Sequence, residues 1–214
     1  MKLRNDLFSI VIETAENIHP GLPDIIEYGM DCAPYLGSIL QTRKINRFAR
    51  RLNEHNDQLI RISKLYSESL LTDNFVQERI SPIVLSDLIE EHEDSKINLI
   101  LNGYENVFIE NNTNESVIIN YFDTLRNLRY ADLKRFLYFA NKITDYPDYP
   151  DSSHEKALTR MIDGKLEISG LIKIGKTWGA IGGKDDDIKK ESVNLSLYGT
   201  KFAEFLFVQD CEIQ

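Results

Sequence analysis

A mainly α fold is predicted, a helical bundle followed by a winged-helix-like module with a small β-hairpin, and three observations predict it. Between Thr42 and Tyr66 apolar residues recur at alternating steps of three and four, the period of a helix face. Further segments of helical apolar period fill the chain up to about Leu166. Leu171 to Ile174 and Val193 to Leu197 then alternate with period two, flanking a glycine- and charge-rich excursion and leading into Tyr198-Gly199-Thr200-Lys201-Phe202.

Taken in order, Leu7, Ile10, Val11, Ala15 and Ile18 form a short stripe that stops at His19-Pro20-Gly21, where proline and glycine break a helix. Leu22 to Leu40 contains Pro23, Gly29, Pro34 and Gly37, which predicts short helical pieces. Ile45, Phe48, Leu52, His55, Leu59, Ile62 and Tyr66 form one face of a long amphipathic helix whose other faces are basic. The seam lasts barely three heptads, which suits an intramolecular hairpin better than an extended coiled coil. Asp73 is placed to cap a helix carrying Phe75, Val76 and Ile80, and Ser81-Pro82 either kinks it or starts the next. The acidic run Glu90-Glu91-His92-Glu93-Asp94 follows, and Ser95 is expected to cap a helix with Ile97, Ile100, Leu101, Tyr104, Val107 and Phe108 on one face. After a polar loop at Asn111 to Asn114, Ile118, Tyr121, Phe122, Leu125 and Leu128 mark a fifth long helix.

The domain junction is expected near Arg129, dividing an all-helical body, residues 1–129, from a winged-helix-like module, residues 130–214. In the module, Leu133, Phe136, Leu137 and Ala140 lie on a helix ended by Asp145-Tyr146-Pro147-Asp148-Tyr149-Pro150-Asp151, which two prolines hold extended. Ser152 and Glu155 have capping-box spacing ahead of a helix through Ala157, Leu158, Met161 and Ile162, with Gly164 placed to end or weaken it. Phe202, Phe205 and Leu206 are the apolar face of a last helix.

The chain of 214 residues has a net charge of −9, which argues against whole-molecule attraction to nucleic acid or an anionic membrane. The charge is uneven: Gln41 to Leu65 holds seven cations and two anions, net +5, leaving −14 for the rest. Cys32 and Cys211, with no CxxC pair, suit a reducing, cytoplasmic compartment. The apolar run at Leu7 to Ile12 is too short for a signal peptide. Asp24, Glu27 and Asp31 keep Gly21 to Leu40 from reading as a membrane span.

A DNA-reading winged helix needs cations on its recognition helix and at its wing tip. Lys156, Arg160, Lys184, Lys189 and Lys190 are the candidates, but Glu155, Asp163, Glu167 and Asp185-Asp186-Asp187 oppose them. The Tyr-Pro-Asp loop also stands where a helix-turn-helix places its second helix. For a protein partner the candidates are Arg43, Arg47, Arg50 and Arg51 on the basic helix and Trp178 in the wing. The competing expectation is that the basic helix pairs internally with the acidic run at Glu90 to Asp94. No catalytic residues, cofactor or metal are assigned: the four histidines are scattered, and Gly179-Ala180-Ile181-Gly182-Gly183-Lys184 lacks the Lys-Ser/Thr ending and following helix of a phosphate loop.

The succession Leu125-Arg126-Asn127-Leu128, Ala131-Asp132-Leu133-Lys134, Ile168-Ser169-Gly170-Leu171-Ile172 and Leu195-Ser196-Leu197-Tyr198-Gly199-Thr200-Lys201-Phe202 resembles the abortive-infection alpha type of uncharacterised bacterial proteins, over residues 40 to 207. The chain departs from that pattern at Ser169 and in its long acidic wing. The resemblance implies a bacterial or prophage protein of phage defence or counter-defence without established enzymatic activity. The expectation is therefore a non-enzymatic protein that binds other proteins, with a homodimer compatible and nucleic acid disfavoured. The alternatives are a winged-helix DNA-binding transcription regulator and a membrane-active effector working through Gly21 to Leu40.

Overall fold

The computed structural model describes residues 11–17, 23, 26, 38–69, 71, 74–111, 113–175 and 188–207. Residues 11–17 are helical and bury Val11 and Ala15. The periodic basic segment forms two helices, α1 (Ser38–Glu54) and α2 (Asn56–Glu68), where one long helix was expected. The break falls at His55 (φ −111°, ψ 25°), within Asn53-Glu54-His55-Asn56-Asp57, where every residue but Glu54 is a poor helix former. The ladder is otherwise kept: the His55 N–H donates to Arg51 O and the Leu59 N–H to His55 O, each at 3.0 Å, so the apolar seam continues across the bend.

A π-helical segment, Asn74–Ile80, runs directly into α3 (Ser81–Glu90), with Pro82 in the first turn. Proline lacks a donor and crowds the carbonyl four residues back, so the change from wide to ordinary turn falls where the chain has no N–H to offer. A 3₁₀ turn, Asp94–Lys96, precedes α4 (Ile97–Ile109): Ser95 lies inside that turn and Lys96 holds the N-cap position without a side-chain cap bond, so Ser95 does not cap the helix as expected. α1 packs on α3, α2 on α4 and α3 on α4. Phe48, Leu52, Leu59, Ile62, Val84, Leu88, Ile100 and Leu101 fill their core. The Ser81 and Tyr104 hydroxyls inside it bond each other at 2.7 Å, and burial raises the Tyr104 phenol well above its ordinary pKa.

Next come α5 (Glu115–Asn127), α6 (Tyr130–Phe139) and α7 (His154–Ile168), then β1 (Ile172–Ile174), β2 (Val193–Leu195) and α8 (Leu197–Phe205). The strands pair antiparallel, with Ile172 opposite Leu195 and Ile174 opposite Val193. The fold is thus mainly helical with one small two-stranded sheet, the class the sequence predicts. Contacts divide the chain into two units, Met1–Asp123 with Leu206–Gln214, and Thr124–Phe205. In the first unit, Asn102 and Asn106 on α4 donate side-chain amides to Leu206 O at 2.9 Å and Phe207 O at 3.1 Å, which ties the returning chain to that helix.

In the second unit, helix ends follow local chemistry. α7 is capped by Ser153, whose Oγ accepts the Lys156 N–H at 3.1 Å, one residue after the Ser152 expected to do so. The helix runs straight through Gly164. Its stop is Gly170 (φ +71°), whose N–H donates to Glu167 O while the Leu171 N–H donates to Leu166 O. That double bond, with Leu166 and Leu171 both fully buried, is a Schellman ending. Gly199 marks a close approach: a Cβ there would lie 1.9 Å from Leu171 O, so α8 abuts the start of the hairpin only without a side chain.

Candidate interaction surfaces

Three cations of α1, Lys44, Arg50 and Arg51, are engaged by the acidic run Glu90 to Asp94 at the end of α3. Arg51, buried on α1, donates through Nε and Nη2 to Asp94 Oδ1 at 3.0 and 2.6 Å, through Nη1 to Leu88 O at 2.6 Å and through Nη2 to Glu91 O at 2.7 Å. Arg50 bonds Asp94 at 2.8 Å and Glu54 at 3.0 Å, and Lys44 reaches Glu90. The buried Lys96 ammonium lies 2.5 Å from Glu91. Hydrogen bonds from Arg50 and Arg51 hold the Asp94 carboxyl below its usual range. At Glu91 burial pushes the other way, and is outweighed by bonds from Lys96 and from the Glu93 and His92 N–H groups, so that carboxyl is lowered too. Burial lowers the His55 imidazole.

This clasp settles where four candidate residues lie. Arg51 is interior, satisfying two carbonyls at the end of α3, and is no surface contact. Arg50 is exposed but doubly paired, Arg43 is exposed, and Arg47 is half-buried with an Nε that meets no acceptor among the described residues. Trp178 and Lys184 lie outside the described residues, as does the Asp185 to Asp187 run. Of residues 21–40, the basis of the membrane-active alternative, only 23, 26 and 38–40 are described. Among the described residues, no helix is long and apolar enough to cross a membrane, and no three His, Cys, Asp or Glu side chains converge to hold a metal. An apolar cavity of about 20 Å³ between α2, α3 and α4 has room for little more than one water. Its two hydroxyls, on Ser81 and Tyr104, already bond each other, so it offers a ligand no free anchor.

In the second unit α7 turns a different face inward from the one expected. Lys156, Thr159, Ile162, Asp163 and Leu166 are buried. Lys156 therefore does not project from a recognition surface: its ammonium bonds Asp148 of the Tyr-Pro-Asp loop at 2.8 Å. Arg160 bonds Asp151 at 3.4 Å, and Lys190 Nζ sits 4.2 Å from the centre of the Tyr138 ring. Lys189 is exposed.

The buried Asp163 has a partner that the sequence reading missed. Arg135 on α6 donates to it twice, at 2.7 and 2.9 Å, and a third bond runs to Ile188 O at 3.2 Å. The guanidinium lies 4.4 Å from the Phe139 ring centre, 4.7 Å from Tyr146 and 5.6 Å from Tyr138. Tyr146 thus explains the extended loop, which supplies a ring over this ion pair where a second helix would otherwise stand. Lys165 pairs with the buried Asp132. A signal existed: Asp163 follows Thr159 by four and precedes Leu166 by three, so it falls on the stripe with Ile162 and Leu166.

Inward charge leaves apolar residues outside. Leu158 is 48%, Met161 55% and Ile168 89% exposed on α7, with Ala157 exposed beside them. At about 100° per residue, Ala157, Met161, Gly164 and Ile168 fall within about 60° of one another. A Cβ built at Gly164 meets nothing within 4 Å, so this stripe is open. Leu197, 80% exposed, emerges beside the end of α7, because Ser196 bonds Gly170 O at 2.5 Å and Leu171 O at 3.0 Å.

Fold and surfaces together define a mainly α protein with a clasped helical bundle, a hairpin-bearing unit and one helix apolar on its outer side. Comparison with family models, with curated proteins and with solved structures returns no match.

Proposed function

We propose that this chain is a non-enzymatic interaction protein that works by binding protein, in the conflict between bacteria and phage. The observation that carries the protein-binding reading is the outer face of α7. The helix that would lie against DNA in a winged-helix reader presents Ala157, Leu158, Met161 and Ile168 to solvent. Phosphate recognition draws on cations, whereas exposed clustered apolar residues mark sites that another protein covers. Three of the five candidate DNA-contacting residues, Lys156, Arg160 and Lys190, are already held by carboxylates or an aromatic ring. The phage-conflict part rests on the resemblance of residues 40 to 207 to the abortive-infection alpha type. A cytoplasmic location accompanies it, supported by a chain with two cysteines and no CxxC pair.

The test is affinity capture from infected and uninfected bacterial cells with the wild-type chain and Met161→Glu as paired baits. Protein retained by the wild type and lost from the variant is expected. Nucleic acid recovered equally by both, with no protein, contradicts the reading.

A further inference from the structure

The clasp on α1 leaves out two arginines. Arg50, Arg51, Arg61, Arg79, Arg135 and Arg160 each pair with a carboxylate. Arg43 and Arg47 meet no acceptor among the described residues. We propose that these two guanidinium groups together bind one phosphate group, carried by a small molecule. The site belongs to the first unit, so it goes beyond the α7 reading and does not rest on it.

Residues four apart on a helix lie about 6 Å along its axis and about 40° around it, so the two side chains leave α1 side by side. Arg43 is exposed and Arg47 half-buried. Of the Arg47 nitrogens only Nε is both enclosed and unbonded among the described residues, which leaves the two Nη groups to solvent. Burial closes the Nε edge, and compensation for this charge comes from outside, at the fork beside Arg43. A guanidinium desolvated on one edge without an acceptor is unfavourable, and a like charge one turn away adds repulsion. One doubly charged oxyanion between the forks relieves both. A carboxylate brings a single charge, whereas a phosphomonoester brings about −1.5 to −2 at pH 7 with three acceptor oxygens, enough for two forks. The surroundings restrict the ligand to one such group. Glu90 holds Lys44 on one flank, and Glu54 and Asp94 gather around Arg50, each carboxylate about half exposed. A polymer of phosphates laid along α1 meets those carboxylates beyond the pair, and a single phosphate does not.

Backbone-amide NMR titration of the full chain with sodium phosphate, against sodium chloride at matched ionic strength, tests this. Phosphate is expected to give saturable shifts centred on residues 43–50, with a dissociation constant on the order of 1 mM, and chloride none. Arg43→Gln and Arg47→Gln are each expected to weaken binding by ~10-fold. Arg43 is exposed, so its replacement leaves the melting temperature unchanged and its effect reads binding alone. Arg47→Lys keeps the charge without the fork, and is expected to weaken binding by roughly 3-fold or more. Lys64→Gln removes an exposed cation from α2 and is expected to change it by less than ~2-fold. Equal shifts with chloride overturn the site. So does full affinity in Arg43→Gln or in Arg47→Lys, or a loss in Lys64→Gln as large as in Arg43→Gln. Adenosine monophosphate as a second probe identifies the source: affinity equal to that of phosphate assigns the free ion, and tighter binding that Arg43→Gln abolishes assigns a phosphomonoester. Short duplex DNA bound more tightly than either probe through the same two arginines overturns the single-phosphate site.

Discussion

The two units place charge and apolar surface in opposite ways. In the first, α1 keeps Phe48 and Leu52 inside, and its cations either point outward or, as with Arg51, close a clasp whose carboxylate partner Asp94 is about half exposed. In the second, α7 buries Lys156 and Asp163 and shows Leu158, Met161 and Ile168 to solvent. The first pattern is closed around Phe48, Leu52 and Arg51, since all three are buried and the Arg51 bonds connect neighbouring elements. The second is affordable because Arg135, itself flanked by three aromatic rings, bonds the buried carboxylate twice, and it leaves apolar side chains in solvent. Inverted polarity on one helix separates a unit whose α1 hides its apolar seam from one whose α7 shows apolar residues to solvent.

The largest effects come from breaking each unit's ion pairs. Arg135→Ala removes the two bonds that tie the buried Asp163 carboxylate to α6 and is expected to cost ~3–5 kcal/mol in denaturant unfolding of the second unit. Arg51→Ala leaves two carbonyls at the end of α3 unanswered, but Asp94 keeps both solvent and Arg50, so about 2–3 kcal/mol is expected. If the two losses were equal, or reversed in order, the contrast in burial would not be the operative difference. Gly170→Ala, at a φ of +71°, is expected to cost about 1–2 kcal/mol and to loosen the hairpin next to it, as read by hydrogen exchange at Leu171 and Ile172.

The pH dependence of the first unit has a definite sign. Asp94 and Glu91 are both held below their ordinary values in the folded chain, so they contribute stability above the unfolded carboxylate values of about 4. That contribution is lost as pH falls through the lowered folded values. Thermal unfolding between about pH 5 and pH 2 should therefore show acid destabilisation that Asp94→Asn reduces. The smallest expected effect on stability, within ~0.5 kcal/mol, is that of Met161→Glu, because that side chain is 55% exposed.

Much of this architecture was legible because it rests on local chemistry. The Phe48, Leu52, Leu59 and Ile62 seam follows from apolar spacing, the hairpin from period-two alternation, and the opposition of a basic helix to an acidic run from charge counts. The bend at His55 was less visible, since the apolar pattern passes through it unbroken. The shift of the cap from Ser152 to Ser153 separates two adjacent residues of equal capping ability. The inward face of α7 was misread for a deeper reason. Ala157, Leu158, Met161 and Ile162 make an apolar stripe by composition, and placing Lys156 and Asp163 inside becomes favourable only once Asp148 and Arg135 arrive from elsewhere in the chain. Partners distant in sequence decide that choice, and spacing within the helix carries no record of them.

The central claim is that the outer face of α7 is an interface rather than bare surface. Its most direct test is capture of protein from infected and uninfected bacterial cells by the wild-type chain, with Met161→Glu as the comparison. The expected result is protein retained by the wild type and lost from the variant. Protein captured equally by both, or by neither, would contradict it.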